Sequence, residues 1–293
     1  MRSLLALACS VLAWGTAHAQ DLTGTLKKVR DSGTITLGVR EASVPFSYYD
    51  DARRPVGYAV DICLKVVEAV KARIGREVKV EFIPANSNNR IPLVTNGTMD
   101  LECASTSNLN ERKRVVGFSL THFVSNIKVL VRKDAPFRSL KDLDGKTIAV
   151  ITGMTAIPML QKFAADNKVD FARVQGKDLA EAFLLFQQGR ADAFVFDDIL
   201  LASMVANSPD PGAYRMLEDT LRSEPNALML RREDAPFKSL VDETIRGLIA
   251  SGEMQTLYAR WFQQPIPPKG VNLSFPMSKE LKAAFETPND DGV

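Results

Sequence analysis

Histidine is almost missing from this chain, with two residues in 293. One of them, His18, lies in the leader described below. That leaves His122 and excludes by count zinc sites of several histidines and paired-histidine catalysis. Cysteine is nearly as scarce, three residues in all, of which Cys63 and Cys103 lie outside the leader. The first falls on a predicted helix and the second at a strand end. Two separate buried thiols are the expectation, and a disulfide is the alternative that geometry decides. A Cys103–His122 nucleophile–base pair is conceivable from residue types alone, and nothing else in the sequence supports it. Neither sign of charge dominates, with Lys+Arg 37 against Asp+Glu 35. No long basic run is interleaved with aromatics, which argues against nucleic acid as a partner. Arg112-Lys113-Arg114 is short and reads as a solvated helix face. Long apolar runs are missing too, since the stretch from Leu4 to Trp14 is too short to span a bilayer.

What is present begins with that stretch. Met1-Arg2 is a short basic start, and Ala17-His18-Ala19 followed by Gln20 fits a cleavage site. Residues 1–19 therefore read as a removed signal peptide, and the protein as exported, soluble and periplasmic. The remaining chain is long enough for two domains with a sizeable core.

Strands and helices alternate along it. Thr34–Val39 alternates as a strand and ends at Arg40, and Asp61–Arg73 has the apolar period of a helix. Val78–Ile83 and Met99–Cys103 are further strands. Ser87-Asn88-Asn89-Arg90 opens a helix between them. In the second half, Thr147–Ile151 is a strand that runs into the small-residue loop Thr152-Gly153-Met154-Thr155. Leu179–Gly189 is a helix, and Ala191–Phe196 a strand ending at Asp197-Asp198. This rhythm predicts βαβ units and a largely parallel sheet. Phe123–Val131 reads as a crossing into a second lobe and Ala227–Leu230 as a crossing back. The implied division is 20–124 plus 223–293 for lobe 1 and 125–222 for lobe 2.

The stretch Leu101–Arg112 carries the densest chemistry. A strand end leads into Ser105, Thr106 and Ser107. An arginine, Arg112, then stands on a predicted helix that Ser107 or Asn108 caps, with Glu111 near the capping-box position. Hydroxyls and free backbone N–H groups beside an arginine suit a carboxylate. Other candidates, Arg40, Thr155 and Asp197, also follow strands, at the carboxyl ends where open α/β sheets bind ligands. An anion pocket facing an acid across a cleft matches an α-amino acid, its carboxylate on Arg112 and its ammonium on Asp197. Asp197 also reads as a helix N-cap. Phe46, Tyr48 and Tyr49 read either as loop packing or as a shield for the ligand stem. Trp261 reads as core.

The segments Val-Pro-Phe-Ser-Tyr-Tyr-Asp from Val44, Asn-Arg-Ile-Pro-Leu from Asn89 and Asn-Gly-Thr-Met-Asp-Leu-Glu-Cys from Asn96 follow one another in order. So do Gly-Arg-Ala-Asp-Ala-Phe from Gly189 and Trp-Phe-Gln-Gln-Pro-Ile-Pro-Pro-Lys from Trp261. Together they resemble the periplasmic glutamate/aspartate-binding proteins of ABC importers, across essentially the whole exported chain. The resemblance implies an α/β type II periplasmic-binding-protein fold, two lobes with a ligand cleft and two hinge crossings. It implies a monomeric binding protein that closes on an acidic amino acid and delivers it to a membrane permease. No catalytic residue, metal or cofactor is implied. Ser105, Ser107, Arg112 and Thr155 would hold the α-carboxylate, Asp197 the ammonium, and Arg40, Ser87 and Arg90 the side-chain carboxylate.

Four positions depart from the family pattern. Ser107 and Met154 replace threonines, and Leu179 replaces a ligand-facing histidine. Leu228 replaces a cysteine that would pair with Cys103. Two alternatives stand beside this reading: a binder of another polar amino acid, or an enzyme on the same fold such as a cyclohexadienyl-type dehydratase.

Overall fold

The computed structural model describes residues 22–293, so the expected leader lies outside the described residues. Helix α1 (Gly24–Ser32) stops at Gly33, whose φ of 72° caps it in the left-handed conformation. Strand β1 (Thr34–Val39) buries Ile35, Leu37 and Val39. A small antiparallel sheet of β2 (Ala42–Ser43), β3 (Ser47–Tyr49) and β4 (Pro55–Val56) then leads into α2 (Tyr58–Ile74). That helix buries Ile62, Cys63, Val66, Val67 and Val70, an apolar stripe at helical spacing. Strand β5 (Lys79–Pro84), helix α3 (Arg90–Thr95) and strand β6 (Leu101–Ser107) complete a parallel set in which Leu37 lies between Phe82 and Leu101. The core strands β1 and β6 are buried along nearly their whole length, so helices must cover them, whereas β5 at the edge exposes Lys79 and Glu81.

After the short β7 (Val116–Phe118), the chain leaves along β8 (Phe123–Arg132). A second α/β unit follows: β9 (Lys146–Ile151), α4 (Ala156–Asn167), β10 (Phe171–Gly176), α5 (Leu179–Gln187), β11 (Ala193–Asp197) and α6 (Asp198–Ala206). The chain returns along β12 (Tyr214–Arg231), which runs antiparallel to β8 from Tyr214↔Arg132 to Asn226↔Phe123. The far end of β12 pairs with β6 and β7, and β8 pairs with β11. These two long strands join the halves into one sheet of order β10-β9-β11-β8-β12-β6-β1-β5. Helices α7 (Ala235–Ala250) and α8 (Glu253–Phe262) fold back on α2. The hairpin β13 (Pro265–Ile266) and β14 (Val271–Asn272) and helix α9 (Lys279–Glu286) follow. The result is a two-lobed α/β architecture. The βαβ units are parallel within each lobe as the alternation predicts. The joined sheet is mixed and not largely parallel, because β8 and β12 run antiparallel to their neighbours.

An aromatic cluster seals the base of the crossing. Phe46 and Phe123 meet edge-on at 4.8 Å, Tyr258 and Phe262 stack at 4.4 Å, and the Tyr58 hydroxyl donates to the His122 carbonyl at 2.8 Å. Phe46 and Tyr48 are buried here, so their role is core packing and not a shield for a ligand. Trp261 is buried as expected, its indole N–H donating to Asp61 Oδ2 at 2.8 Å.

Two local expectations fail. No α-helix follows Asn108: β6 runs on to Ser107, and only a single 3-10 turn, Arg112–Arg114, follows, with no side-chain cap from Glu111. The loop is instead tied down from a distance. The Asn108 N–H donates to the Pro225 carbonyl, its side chain to the Asp290 carbonyl, and the Asn110 N–H to the Val293 carbonyl. Nor are the two cysteines separate thiols. Helix α2 lies over β6 and brings Cys63 and Cys103 to a Cα separation of 6.0 Å, where they form a disulfide.

Candidate functional site

The carboxyl ends of the strands from both lobes converge on a cavity of about 430 Å³. Arg40, just past β1, and Ser87 and Arg90, at the entry to α3, line one side with Ser105 of β6. The second lobe contributes Ile151, Met154, Leu179, Phe196 and Leu200. The lobes meet at its edge, where the Ser87 hydroxyl lies 3.2 Å from the Met154 sulfur. Gly153 makes this approach possible: its φ is +76°, and a Cβ there would come within 3.1 Å of Asn88 Oδ1.

The guanidinium groups differ in their satisfaction. Arg40 donates from Nη2 to Glu102 Oε1 at 2.7 Å and from Nη1 to the Ala85 carbonyl at 3.2 Å. Glu102 Oε2 in turn accepts from the Thr106 hydroxyl at 2.7 Å, and Thr106 Oγ1 accepts from Arg90 Nη1 at 2.8 Å. Arg90 is 1 % exposed, its Nε has no partner, and its Nη2 meets only the Met154 sulfur at 4.0 Å. Burial, reinforced by the charge of Arg40, pulls its pKa down to about 9, which leaves it cationic at neutral pH.

The other four candidates are buried beside this cavity and do not line it. Arg112 Nη1 donates to the Ser107 carbonyl at 3.0 Å; burial lowers the Arg112 pKa, and Glu224 opposes the shift. The Thr155 hydroxyl donates to Glu224 Oε2 at 3.2 Å. Glu224 is fully buried and also accepts from Arg222 Nε at 3.0 Å. Asp197 sits at the N-cap position of α6 without capping it; its Oδ1 accepts from Ser125 Oγ at 2.6 Å. Burial and then the nearby charge of Glu224 raise the Asp197 pKa to about 7. Thr155 lines a neighbouring hollow of about 290 Å³ with Glu111, Lys162 and Arg222.

Glu102, Thr106, Ser125 and Glu224 escape a reading of the sequence for ligand groups, because each acts on another side chain. One signal was available. Along β6 the faces alternate, so Glu102 and Thr106 share a side and place an acid beside two arginines. Met154 and Leu179, two of the departures from the family pattern, both line the cavity.

A model of the bacterial extracellular solute-binding proteins, family 3, matches residues 35–264. An L-glutamate/L-aspartate-binding protein of Pseudomonas aeruginosa is 44 % identical over 93 % of this chain and 91 % of its own length. Glutamate/aspartate import solute-binding proteins of Salmonella typhimurium and Escherichia coli are 40 % and 39 % identical, covering 96 % and 99 % of this chain and 95 % and 97 % of theirs. Among solved structures, an ancestral amino acid-binding protein described as a precursor of cyclohexadienyl dehydratase superposes with a TM-score of 0.72 at 26 % identity. It covers 82 % of this chain and 100 % of that one. The curated relatives are named as binding proteins and not as enzymes, so the dehydratase alternative is not favoured. The fold is the two-lobed type II periplasmic-binding fold. Matched over most of its length by that model and by these relatives, the chain belongs to the bacterial extracellular solute-binding proteins, family 3.

Proposed function

We propose that this protein binds an acidic amino acid, glutamate or aspartate, between its lobes and presents it to the membrane permease of an ABC importer in the periplasm. The division is 20–124 plus 223–293 for lobe 1 and 125–222 for lobe 2, and the working form is a monomer. The carrying observation is Arg90, a buried cation with an unpartnered Nε at the wall of the cavity. Arg40 is already matched by Glu102, so the group has one positive charge to spare, and one ligand carboxylate meets it. An apolar ligand side chain would leave that cation unpaired in a dry site.

In this reading Arg40, Ser87 and Arg90 receive the side-chain carboxylate. Ser105, Ser107, Arg112 and Thr155 receive the α-carboxylate, and Asp197 the ammonium. The acid–hydroxyl contacts at Thr155 and Asp197 open to the ligand when it enters. Closure follows because both lobes contribute groups, so the full contact set exists only when they meet. The names of the curated relatives support the same ligand class.

The test is calorimetry against all the common amino acids. Glutamate or aspartate is expected to bind best, glutamine and asparagine more weakly, and leucine not measurably. Equal or tighter binding of a neutral or basic amino acid refutes the reading.

A further inference from the structure

We infer that the side-chain end of this site is built for an acidic amino acid with a side chain longer than that of glutamate, its added methylene lying on an apolar wall formed by Met154, Leu179 and Phe196. The inference rests on the acidic-ligand reading above and goes beyond it to the length and character of the ligand.

The cavity lies on one side of the assigned ligand groups. Of the groups assigned to the ligand's backbone, Ser107, Arg112, Thr155 and Asp197 stand outside its lining and only Ser105 is part of it, whereas all three assigned to the side-chain carboxylate, Arg40, Ser87 and Arg90, line it. The room of about 430 Å³ therefore lies on the side-chain side. It falls in the size range of complete small-molecule sites, ~300–1,000 Å³.

The second lobe's share of the wall is mostly apolar. Leu179 and Phe196 are 6 % and 4 % exposed, and Ile151 and Leu200 behind them 2 % each. None offers a hydrogen bond. The Met154 sulfur stands against both Ser87 Oγ and Arg90 Nη2, so apolar surface begins directly beside the cation. This wall is already dry, so a short acidic side chain that reaches Arg90 leaves space beside it that apolar ligand surface could fill. One more methylene, folded against the thioether and the leucine, would itself leave water while the distal carboxylate stays with Arg90. A buried methylene contributes about fourfold in affinity.

Nothing in the wall selects for a hydrocarbon without a charge, because the same cavity contains Arg90 with its free Nε. The ligand class is accordingly an α-amino diacid with one methylene more than glutamate, not a neutral aliphatic amino acid.

The experiment measures dissociation constants for glutamate, for 2-aminohexanedioic acid (glutamate plus one methylene) and for leucine, on the intact protein and on Leu179→His and Met154→Thr. The longer diacid is expected to bind the intact protein at least as tightly as glutamate. Each variant should shift the ratio of the two constants toward glutamate by about fourfold or more. Using two variants at separate positions of the wall keeps the test valid if one fails to fold. A longer diacid bound more weakly than glutamate overturns the inference while leaving the acidic-ligand reading intact. So does a ratio unmoved in the folded variants. Leucine bound more tightly than either acid overturns both.

Discussion

Arg40 and Glu102 form an ion pair, Nη2 to Oε1 at 2.7 Å, with both side chains largely buried. The cavity therefore does not present two free arginines. One is neutralised from within the fold, and the acid that neutralises it also anchors Thr106, which orients Arg90. Glu102→Gln keeps the shape and removes the charge. Loss of one partner from a buried pair costs about 3–5 kcal/mol, so the unliganded variant should melt lower. An acidic ligand would then restore part of the missing negative charge, and the ligand-induced rise in melting temperature should be larger than for the intact protein. An equal rise would show that Arg40 and Glu102 do not share charge with the ligand.

Arg90 and Arg112 should fail differently. Arg90→Met retains the buried stem and deletes the cation, so glutamate should weaken by roughly 30-fold to several-thousand-fold, from ~2–5 kcal/mol. Discrimination against glutamine should shrink with it. Arg112→Ala should weaken every amino acid alike. It should also lower unliganded stability by about 1 kcal/mol, because its Nη1 holds the Ser107 carbonyl. Isothermal calorimetry on both variants with glutamate and glutamine separates the two patterns; identical patterns would contradict the division of labour.

Asp197 couples binding to pH. Burial, with Glu224 beside it, raises its pKa from 3.8 to about 7. The folded protein thus holds this proton more tightly than the unfolded chain does. The contribution to unliganded stability is fully present below the unfolded value and is lost as pH rises through about 7. An arriving ammonium needs the carboxylate, so at a pH of about 6 binding should expel a proton and affinity should fall with further acidification. Calorimetry in two buffers of different ionisation enthalpy counts that proton. Asp197→Asn should release none and should flatten the stability change between about pH 5 and about pH 8. A proton count of zero in the intact protein would remove Asp197 as the ammonium acceptor.

The disulfide between Cys63 and Cys103 closes a loop with a sequence separation of 40. Chain-entropy arguments give it about 4 kcal/mol of stabilisation. It fixes α2 to β6 two residues before Ser105, so reduction should lower the melting temperature and weaken ligand binding together. Coincident melts with and without reductant would mean the bond contributes nothing.

Much of the fold was legible because its signals are local. The alternation of Thr34–Val39 and the period of α2 are written within a few residues, and loops at strand ends direct attention to Arg40, Arg90 and Ser105. What was not legible depends on remote partners. The stretch from Asn108 to Arg112 has residues suited to a helix start, yet bonds to Pro225, Asp290 and Val293 hold it open. The polar first part of β12, Tyr214 to Arg222, carries little strand pattern and is extended because β8 pairs with it along most of its length. The cysteine pair was decided by the crossing of α2 over β6, which no spacing in the sequence encodes. Glu102 and Glu224 read as ordinary acids until their neighbours are placed.

The pairing of β6 with β12 also dictates an order of events. Leu101 meets Leu230 across that ladder, so the strand bearing Ser105 and Ser107 keeps an open edge until the whole second lobe and its return strand have been made. A chain made from its amino terminus exposes that edge to other chains for the interval, an invitation to mispairing. Long-range closure of this kind also slows folding. Amide exchange during refolding should therefore protect Leu101–Ser107 later than the neighbouring β1–β5 ladder, and simultaneous protection would contradict this sequence of assembly.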